Sequence, residues 1–248
     1  MSEAFFNVYE DAARADAYAA LEFPGTYYLA YRDLPAIIAG TVTGRRAVDF
    51  GCGTGRSTRF LQGLGFETVG LDISEQMLAQ ARRRDPSGDY RLVSEGGASG
   101  LTPGSQDLVL AAFTFDNIPT LEKKVAHFHA LGGLLGPGGR IVAVVSAPEI
   151  YWHEWASFST RDFPENRTAR SGDPVRIVML DVPDRRPVED VLCTDATYRE
   201  AFRQAGLEAL EVHRPLGLPT EPMAWVSETT IAPWTVYVLG HDPRPPRR

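Results

Sequence analysis

Short apolar segments alternate with helical segments through the middle of this 248-residue chain, and this alternation restricts its fold more than any other feature. Within residues 44–148 the predicted strands are RAVDF, ETVGLD, DYRLVS, DLVLAAF and RIVAVVS. Strands that are separated by helices of about 10 to 15 residues form parallel sheets with helices on both faces. The sequence therefore predicts a doubly wound α/β core.

The segments around this core have different patterns. Residues 1–43 contain two helical patterns rich in tyrosine and alanine, which predict an N-terminal helical lid. Residues 149–193 mix aromatic and polar side chains before two strand-like runs, which predict an insertion with a small antiparallel hairpin. Residues 194–241 resume the α/β pattern, and their two strands lack a crossover helix, so we expect them to pair antiparallel. Residues 242–248 are predicted to be a flexible tail.

Composition excludes several classes of partner. The formal net charge of −7 opposes an extended phosphate backbone, so no nucleic acid is expected. The chain has no apolar run of about 20 residues and no basic leader, so no membrane association is expected. Cys52 and Cys193 are too few and too far apart for a disulfide framework. These features together predict a cytoplasmic protein.

Three glycines at alternate positions follow the first predicted strand, in the stretch DFGCGTG from Asp49 to Gly55. A loop at this place lies at the carboxyl edge of the sheet, where open α/β folds bind ligands. The dinucleotide fingerprint G-x-G-x-x-G needs its third glycine one residue later, and Asp49 would repel a pyrophosphate. A cationic ligand would instead be attracted by Asp49.

The stretch DFGCGTG resembles the first motif, (E/D)-x-G-x-G-x-G, of the class I S-adenosylmethionine-dependent methyltransferases. The likeness continues with Asp72 at the end of VGLD, with Asp107 before the fourth strand, and with LGPGG from Leu135 to Gly139. The resemblance implies a Rossmann-like, seven-stranded sheet that is mostly parallel with an antiparallel last strand. It also implies S-adenosylmethionine as cofactor and S-adenosylhomocysteine as product.

The resemblance also implies which residues hold the cofactor. Asp72 would accept hydrogen bonds from both ribose hydroxyls, and Ile73 and Met77 would flank the adenine. At the position that usually carries an acid for the adenine amino group, this chain has Gly97. Either Glu95, through a shift of the loop, or the backbone N–H of Ala98 would then take over. The cofactor loop itself consists of Asp49, Gly51, Gly53, Thr54 and Gly55.

Residues after the fourth strand are expected beside the transferring methyl group. Phe113 would line the cleft there, and Asp116 or Asn117 would either bind a ligand or cap the following helix. In the N-terminal segment, Arg32 would either bind the methionine carboxylate or pair with a surface acid such as Asp33. Both pairs of alternatives are open at this point.

A methyl acceptor that is a hydroxyl or a carbon would benefit from a general base, and His153 with neighbouring Glu154 is the predicted catalytic pair. The alternative is that His153 is only a polar residue in an aromatic-rich lid. His127 and His129 match no metal-site spacing, so no metal is predicted. An aromatic acceptor pocket or scaffold packing would each explain the four tryptophans, Trp152, Trp155, Trp225 and Trp234.

These features predict an enzyme that methylates an O, N or C atom of a small-molecule metabolite in a biosynthetic pathway. The insertion would cover the acceptor site, and the protein would be a monomer or a homodimer. One alternative is a non-methylating S-adenosylmethionine-binding protein or cyclase on the same fold. Another is a nicotinamide-dependent oxidoreductase, against which Asp49 and the early third glycine argue.

Overall fold

A computed structural model describes residues 23–94 and 100–241 of the chain. The described helices are α1 (Thr26–Arg32), α2 (Leu34–Thr41), α3 (Arg56–Gly63), α4 (Glu75–Arg84), α5 (Leu121–Gly132) and α6 (Asp195–Gln204). The strands are β1 (Arg46–Phe50), β2 (Glu67–Asp72), β3 (Asp89–Leu92), β4 (Gln106–Ala112), β5 (Leu135–Ser146), β6 (Phe158–Ser159), β7 (Pro174–Met179), β8 (Val188–Val191), β9 (Leu207–His213) and β10 (Trp234–His241). Short 3-10 helices cover Thr114–Asn117, Pro148–Tyr151 and Pro164–Thr168.

Seven strands form the main sheet in the order β3-β2-β1-β4-β5-β10-β9. The first five pair in parallel, whereas β10 pairs antiparallel with both β5 and β9. This confirms the predicted doubly wound sheet with its antiparallel end. The strand order reverses between β1 and β4, and open α/β sheets bind ligands at such a reversal.

The central strands are apolar almost throughout because helices cover both faces of the sheet. Ala47 and Val48 of β1 and Leu108 to Ala111 of β4 are fully buried. The exception is Asp49, which is also fully buried although it carries a carboxylate in the middle of this apolar layer. A buried charge of this kind requires local partners or a ligand.

Side-chain caps define where three of the helices begin. Ser74 accepts a hydrogen bond from the N–H of Met77 at the start of α4, and Thr120 accepts one from Lys123 at the start of α5. Thr194 does the same for α6. The second of the two helical patterns predicted in residues 1–43 has the sequence TYYLAYRDLPAIIAG. It is not one helix but two, which meet at Asp33. The break follows from Pro35, which cannot donate a backbone hydrogen bond and clashes with the preceding turn.

The predicted insertion hairpin is present as β7 and β8, and β6 extends it to a three-stranded antiparallel sheet. Its apolar side chains join one hydrophobic cluster with α1, α2 and a face of the main sheet. The insertion therefore packs directly on the core. No helix among the described residues has the length and apolar character needed to cross a membrane.

A buried carboxylate joins α1, the insertion and the loop before β10. Glu228 is fully buried and accepts hydrogen bonds from Thr26 Oγ1 at 2.6 Å, from the N–H of Ala156 at 2.8 Å and from the N–H of Val226 at 2.8 Å. The N–H of Thr26 also donates to Ser157 Oγ at 2.8 Å. Three segments that are far apart in sequence are thus fixed to one another.

Candidate active site

The glycine loop turns tightly between β1 and α3. Gly51, Gly53 and Gly55 have φ angles of 72°, 53° and 77°, a region that side chains other than glycine rarely adopt. The N–H groups of Gly51 and Cys52 both donate to the carbonyl of Leu71 on β2. The loop is therefore held against the carboxyl end of the neighbouring strand.

Asp49 lies directly beneath this loop. Its Oδ2 accepts hydrogen bonds from Ser57 Oγ at 2.7 Å and Thr58 Oγ1 at 2.6 Å. Its Oδ1 is buried and has no hydrogen-bond partner among the described residues. Burial raises the pKa of this carboxyl to about 6, although the two hydroxyls and the charge of Arg56 oppose the shift. A cationic group above the loop would favour the ionised form.

Asp72 ends β2 opposite the loop. Its Oδ2 accepts from the N–H of Gly53 and its Oδ1 from the N–H of Ser74, both at 2.8 Å. Burial raises the pKa of Asp72, while these backbone hydrogen bonds lower it. Each oxygen retains a lone pair that can accept from a further donor.

The predicted adenine neighbours differ in exposure. Ile73 is 43% exposed at the edge of the loop, whereas Met77 is buried beneath it. Glu95, Gly97 and Ala98, the candidates for the adenine amino group, lie outside the described residues. Thr54 is buried within the glycine loop.

Phe113, directly after β4, has a strained backbone. Its φ of 64° is the only positive value of a non-glycine residue in the described part of the chain. The next residue, Thr114, donates from Oγ1 to the carbonyl of Phe50 at 2.8 Å, which fixes this segment beside the glycine loop. Non-glycine strain of this kind concentrates at functional sites.

A cavity of about 50 Å³ adjoins Phe113 on the side of the insertion. Five aromatic rings line it, those of Tyr27, Phe113, Tyr151, Phe158 and Trp234. The ring centroids lie 5.7 Å apart for Tyr27 and Phe113, 5.0 Å for Tyr27 and Phe158, and 4.7 Å for Phe113 and Trp234. Asp116, Asn117 and Asp190 add polar groups to the same wall. The cavity is thus an aromatic chamber with two carboxylates.

Asp116 does not cap the following helix, since Thr120 does so. It is buried, and its carboxylate accepts hydrogen bonds from Ser146 Oγ at 2.9 Å, from the N–H of Ser146 at 3.1 Å and from the hydroxyl of Tyr198 at 3.4 Å. Burial raises its pKa to about 6. Helix capping, one of the two alternatives that the sequence left open for Asp116, is therefore excluded.

Asp190 comes from β8 of the insertion. Its Oδ2 accepts a hydrogen bond from the hydroxyl of Tyr151 at 3.0 Å. Burial raises its pKa to about 7, and the charge of Asp116 adds to the shift. Lys124, buried on α5, opposes this with its positive charge and donates to the carbonyls of Phe115 and Ile118.

Arg32 is engaged by acids away from the loop. Its guanidinium donates to both carboxylate oxygens of Asp33 at 2.8 Å, to Glu221 Oε1 at 2.9 Å and to the carbonyl of Leu216 at 2.9 Å. This geometry favours the surface-pair alternative, and the cofactor role of Arg32 stays a prediction. Arg56, the first residue of α3, lies buried against the aromatic rings of the N-terminal segment.

His153 and Glu154 line a different, open groove, which shares Tyr151 with the cavity. Glu154 accepts hydrogen bonds from Ser159 Oγ and from the N–H of Thr160, both at 2.8 Å, so it stabilises the segment around β6. The structure does not bring this pair together with the glycine loop or the cavity. Their catalytic role stays a prediction without support from the geometry.

Sequence reasoning missed Asp190 and Lys124. In β8 the period of two puts Asp190 on the same face as buried Val188, and a carboxylate on an apolar face was the available signal. In α5, Lys124 precedes Phe128 by four residues and Leu131 by seven, so a charge occupies the apolar stripe of the helix. Both signals became interpretable only when the fold placed Asp190 at the cavity and the charge of Lys124 close enough to act on it.

The loop fits the cofactor that the motif implies. Asp49 Oδ1 offers a buried negative oxygen without a partner. Among the described residues, no atom lies within 4 Å of an added Cβ at Gly53, so this part of the structure leaves space above that residue. The two carboxylates of Asp49 and Asp72 supply charge for a cation and acceptors for hydroxyl donors.

Comparisons with known proteins agree with this geometry. Residues 48–141 match a family described as a methyltransferase domain. The chain is 30% identical over 165 residues to trans-aconitate 2-methyltransferase of Rhodopseudomonas palustris, covering 66% of this chain and 54% of that protein. It is 31% identical over 134 residues to a ubiquinone biosynthesis O-methyltransferase of Thiobacillus denitrificans, covering 52% of this chain and 48% of that protein. The chain spans about half the length of these curated relatives.

Solved structures show the same fold. The CcbJ methyltransferase of Streptomyces caelestis superposes with a TM-score of 0.64 at 20% identity, covering 92% of this chain and 95% of that one. DesVI of Streptomyces venezuelae gives a TM-score of 0.62 at 22% identity, covering 96% and 100%. Residues 48–141 therefore form a class I S-adenosylmethionine-dependent methyltransferase domain, and the described sheet has the fold of that family.

Proposed function

We propose that this protein transfers the methyl group of S-adenosylmethionine to an O, N or C atom of a small-molecule acceptor, as a step in a biosynthetic pathway. The observation that carries the proposal is the position of Phe113, which borders the aromatic cavity and is fixed beside the glycine loop through Thr114. A donor above the loop and an acceptor in the cavity would meet at this residue.

The cofactor would be held by residues of the loop and of β2. Asp72 would accept from the ribose hydroxyls, Asp49 would supply negative charge, and Ile73 would cover the adenine. S-adenosylmethionine brings its own leaving group, so the chemistry it supplies is a methyl group on a cationic sulfur. The protein then has to align donor and acceptor, which can contribute roughly 7–11 kcal/mol.

The proposed acceptor site is compact. Residues 149–193 would cover the acceptor, and residues 44–148 and 194–241 would form the methyltransferase core. A cavity of about 50 Å³ suits a small group, and the net charge of −7 argues against a nucleic-acid acceptor. Both cysteines are unpaired thiols, which supports a cytoplasmic location. The protein would act there as a monomer or a homodimer.

Binding of S-adenosylhomocysteine to the purified chain, measured by calorimetry, tests the cofactor part of the proposal. We expect Asp72→Asn to weaken binding by about 1–3 kcal/mol, because a carboxylate that accepts from ligand hydroxyls is lost. Glu67→Gln is the matched control. Glu67 is exposed at the other end of β2, and its substitution removes the same charge. Binding should be unchanged in that variant.

Three outcomes would contradict the proposal. Binding of NADH in place of S-adenosylhomocysteine would support an oxidoreductase. Equal affinities of the native chain and Asp72→Asn would remove the assigned cofactor site. A protein that binds the cofactor normally but releases no labelled methyl product with any acceptor would match the non-methylating alternative.

A further inference from the structure

We infer that the acceptor is an amine, and that Asp190 binds its ammonium form and takes the proton that must leave before methyl transfer. Asp116 supplies a second negative charge at the same cavity. This inference rests on the proposed methyl transfer and names the acceptor chemistry of that site.

Asp190 is the carboxylate that faces the cavity with an unused acceptor. Its Oδ2 is occupied by the hydroxyl of Tyr151, and its Oδ1 has no hydrogen-bond partner in the described part of the chain. A strand that puts a carboxylate on its apolar face requires a compensating ligand or partner, because desolvation of that charge is costly. An N–H donor of an ammonium group satisfies this requirement.

The charges around the cavity leave a deficit of positive charge. Asp116 and Asp190 both line it, and each would carry one negative charge when ionised. Lys124 acts on both with one positive charge, and it donates two of its three ammonium protons to the carbonyls of Phe115 and Ile118. One organic cation would therefore neutralise the site, whereas an acceptor with a carboxylate or phosphate at this position would be repelled.

The aromatic walls favour the same kind of ligand. Tyr27, Phe113, Phe158 and Trp234 enclose the cavity with ring faces and edges. Ring faces attract cations electrostatically, most strongly when water is excluded. Two carboxylates and these rings line the same cavity and together suit an alkylammonium group.

The proton and electron balance of the reaction follows from this arrangement. The ammonium group of the acceptor transfers one proton to the carboxylate of Asp190 and becomes a neutral amine. The nitrogen lone pair forms the new N–C bond while the C–S bond breaks, and the sulfur keeps the bonding electron pair. The product is a methylated ammonium ion, and the proton on Asp190 returns to solvent. No further reactant is needed.

A direct binding comparison tests the inference on the full chain in the presence of S-adenosylhomocysteine. The probes are n-propylamine and its neutral isostere n-propanol, and the signal is the ¹⁹F resonance of Trp234 in 5-fluorotryptophan-labelled protein. We expect propylamine to bind about tenfold or more tightly than propanol, because only the amine makes a charge-assisted hydrogen bond. Asp190→Asn should remove this preference.

Asp190→Asn is expected to fold, because the Asn carbonyl can still accept from Tyr151 and a costly buried charge is removed. Glu189→Gln is the matched control: Glu189 is the exposed neighbour on β8, and its change removes the same charge. The amine preference should survive in Glu189→Gln. Equal binding of amine and alcohol, or an unchanged preference in Asp190→Asn, would overturn the inference.

The pH dependence in the native chain gives a readout that needs no variant. The pKa values of Asp116 and Asp190 are raised to about 6 and about 7, so both are ionised at about pH 8 and protonated at about pH 5. The amine preference should therefore fall as the pH is lowered through this range. Burial raises the pKa of Tyr151, Tyr198 and Cys193, which stay neutral throughout, and Lys124 gains rather than loses charge at low pH.

Failure of this inference and failure of the proposed function give different results. Normal binding of S-adenosylhomocysteine without an amine preference would overturn only the acceptor chemistry. Loss of S-adenosylhomocysteine binding would overturn the proposed function. The amine and the alcohol would then be compared in the absence of S-adenosylhomocysteine. A pH-independent preference would show that the two carboxylates are not its source.

Discussion

At the residue scale, the three glycines of the loop serve different purposes. An added Cβ at Gly51 would lie 2.3 Å from Thr114 Oγ1, and one at Gly55 would lie 2.6 Å from the hydroxyl of Tyr90. Those two glycines are required by the packing of the protein itself. At Gly53 no atom of the residues that the structure describes lies within 4 Å of the added Cβ, so beyond its positive φ this glycine leaves space for a ligand.

Gly53→Ala should therefore separate stability from binding. We expect a loss of about 1 kcal/mol in the free energy of unfolding, from the left-handed backbone alone, and a loss of about tenfold or more in affinity for S-adenosylhomocysteine. Urea unfolding and calorimetry measure the two quantities. Gly63→Ala, which adds the same methyl group to an exposed position of α3, should leave affinity unchanged. Native affinity in Gly53→Ala would show that the cofactor does not approach this residue.

Residue-level prediction from sequence worked where a motif fixes the backbone. Asp49 and Asp72 could be identified because each lies at the carboxyl end of a recognisable strand. Both lie at the glycine loop, as expected. Residue type and a place after the fifth strand predict His153 as a base, but it lines a different groove. Asp190 was missed because its importance depends on contacts with Tyr151 and a cavity, which no local pattern encodes.

At the scale of elements, Glu228 is the junction between α1, the insertion and the loop before β10. Its two oxygens accept three hydrogen bonds, of which one comes from Thr26 and two from backbone N–H groups. Tyr27, the next residue of α1, lines the cavity. The position of this aromatic wall therefore depends on a carboxylate that lies about 200 residues away in sequence.

Glu228→Gln should destabilise the protein by about 1–3 kcal/mol in urea unfolding, because the amide NH₂ cannot accept and one buried donor loses its partner. Glu211→Gln is the control, since Glu211 is exposed on β9 and such surface changes usually stay within about 0.5 kcal/mol. Equal stability of the two variants would mean that Glu228 is not the junction described. The sequence predicted the hairpin of the insertion but offered no sign of this junction.

At the scale of the whole molecule, the mostly parallel, doubly wound sheet and its antiparallel end could be predicted because hydrophobic periodicity and connection rules constrain them. The cavity could not be predicted in the same way. Its walls come from α1, the turn after β4, β8 and β10, which meet only after the insertion has packed on the core. Such long-range convergence leaves no signature in any one segment.

The central claim is that the glycine loop and the aromatic cavity form one methyl-transfer site. The most direct test is isotope-filtered NMR of the protein with S-adenosylmethionine carrying a ¹³C-labelled S-methyl group. We expect nuclear Overhauser contacts from this methyl group to the rings of Phe113 and Tyr27, assigned with ring-labelled protein. Contacts to Trp152 or Phe163 in the groove of His153, with none to Phe113, would contradict it.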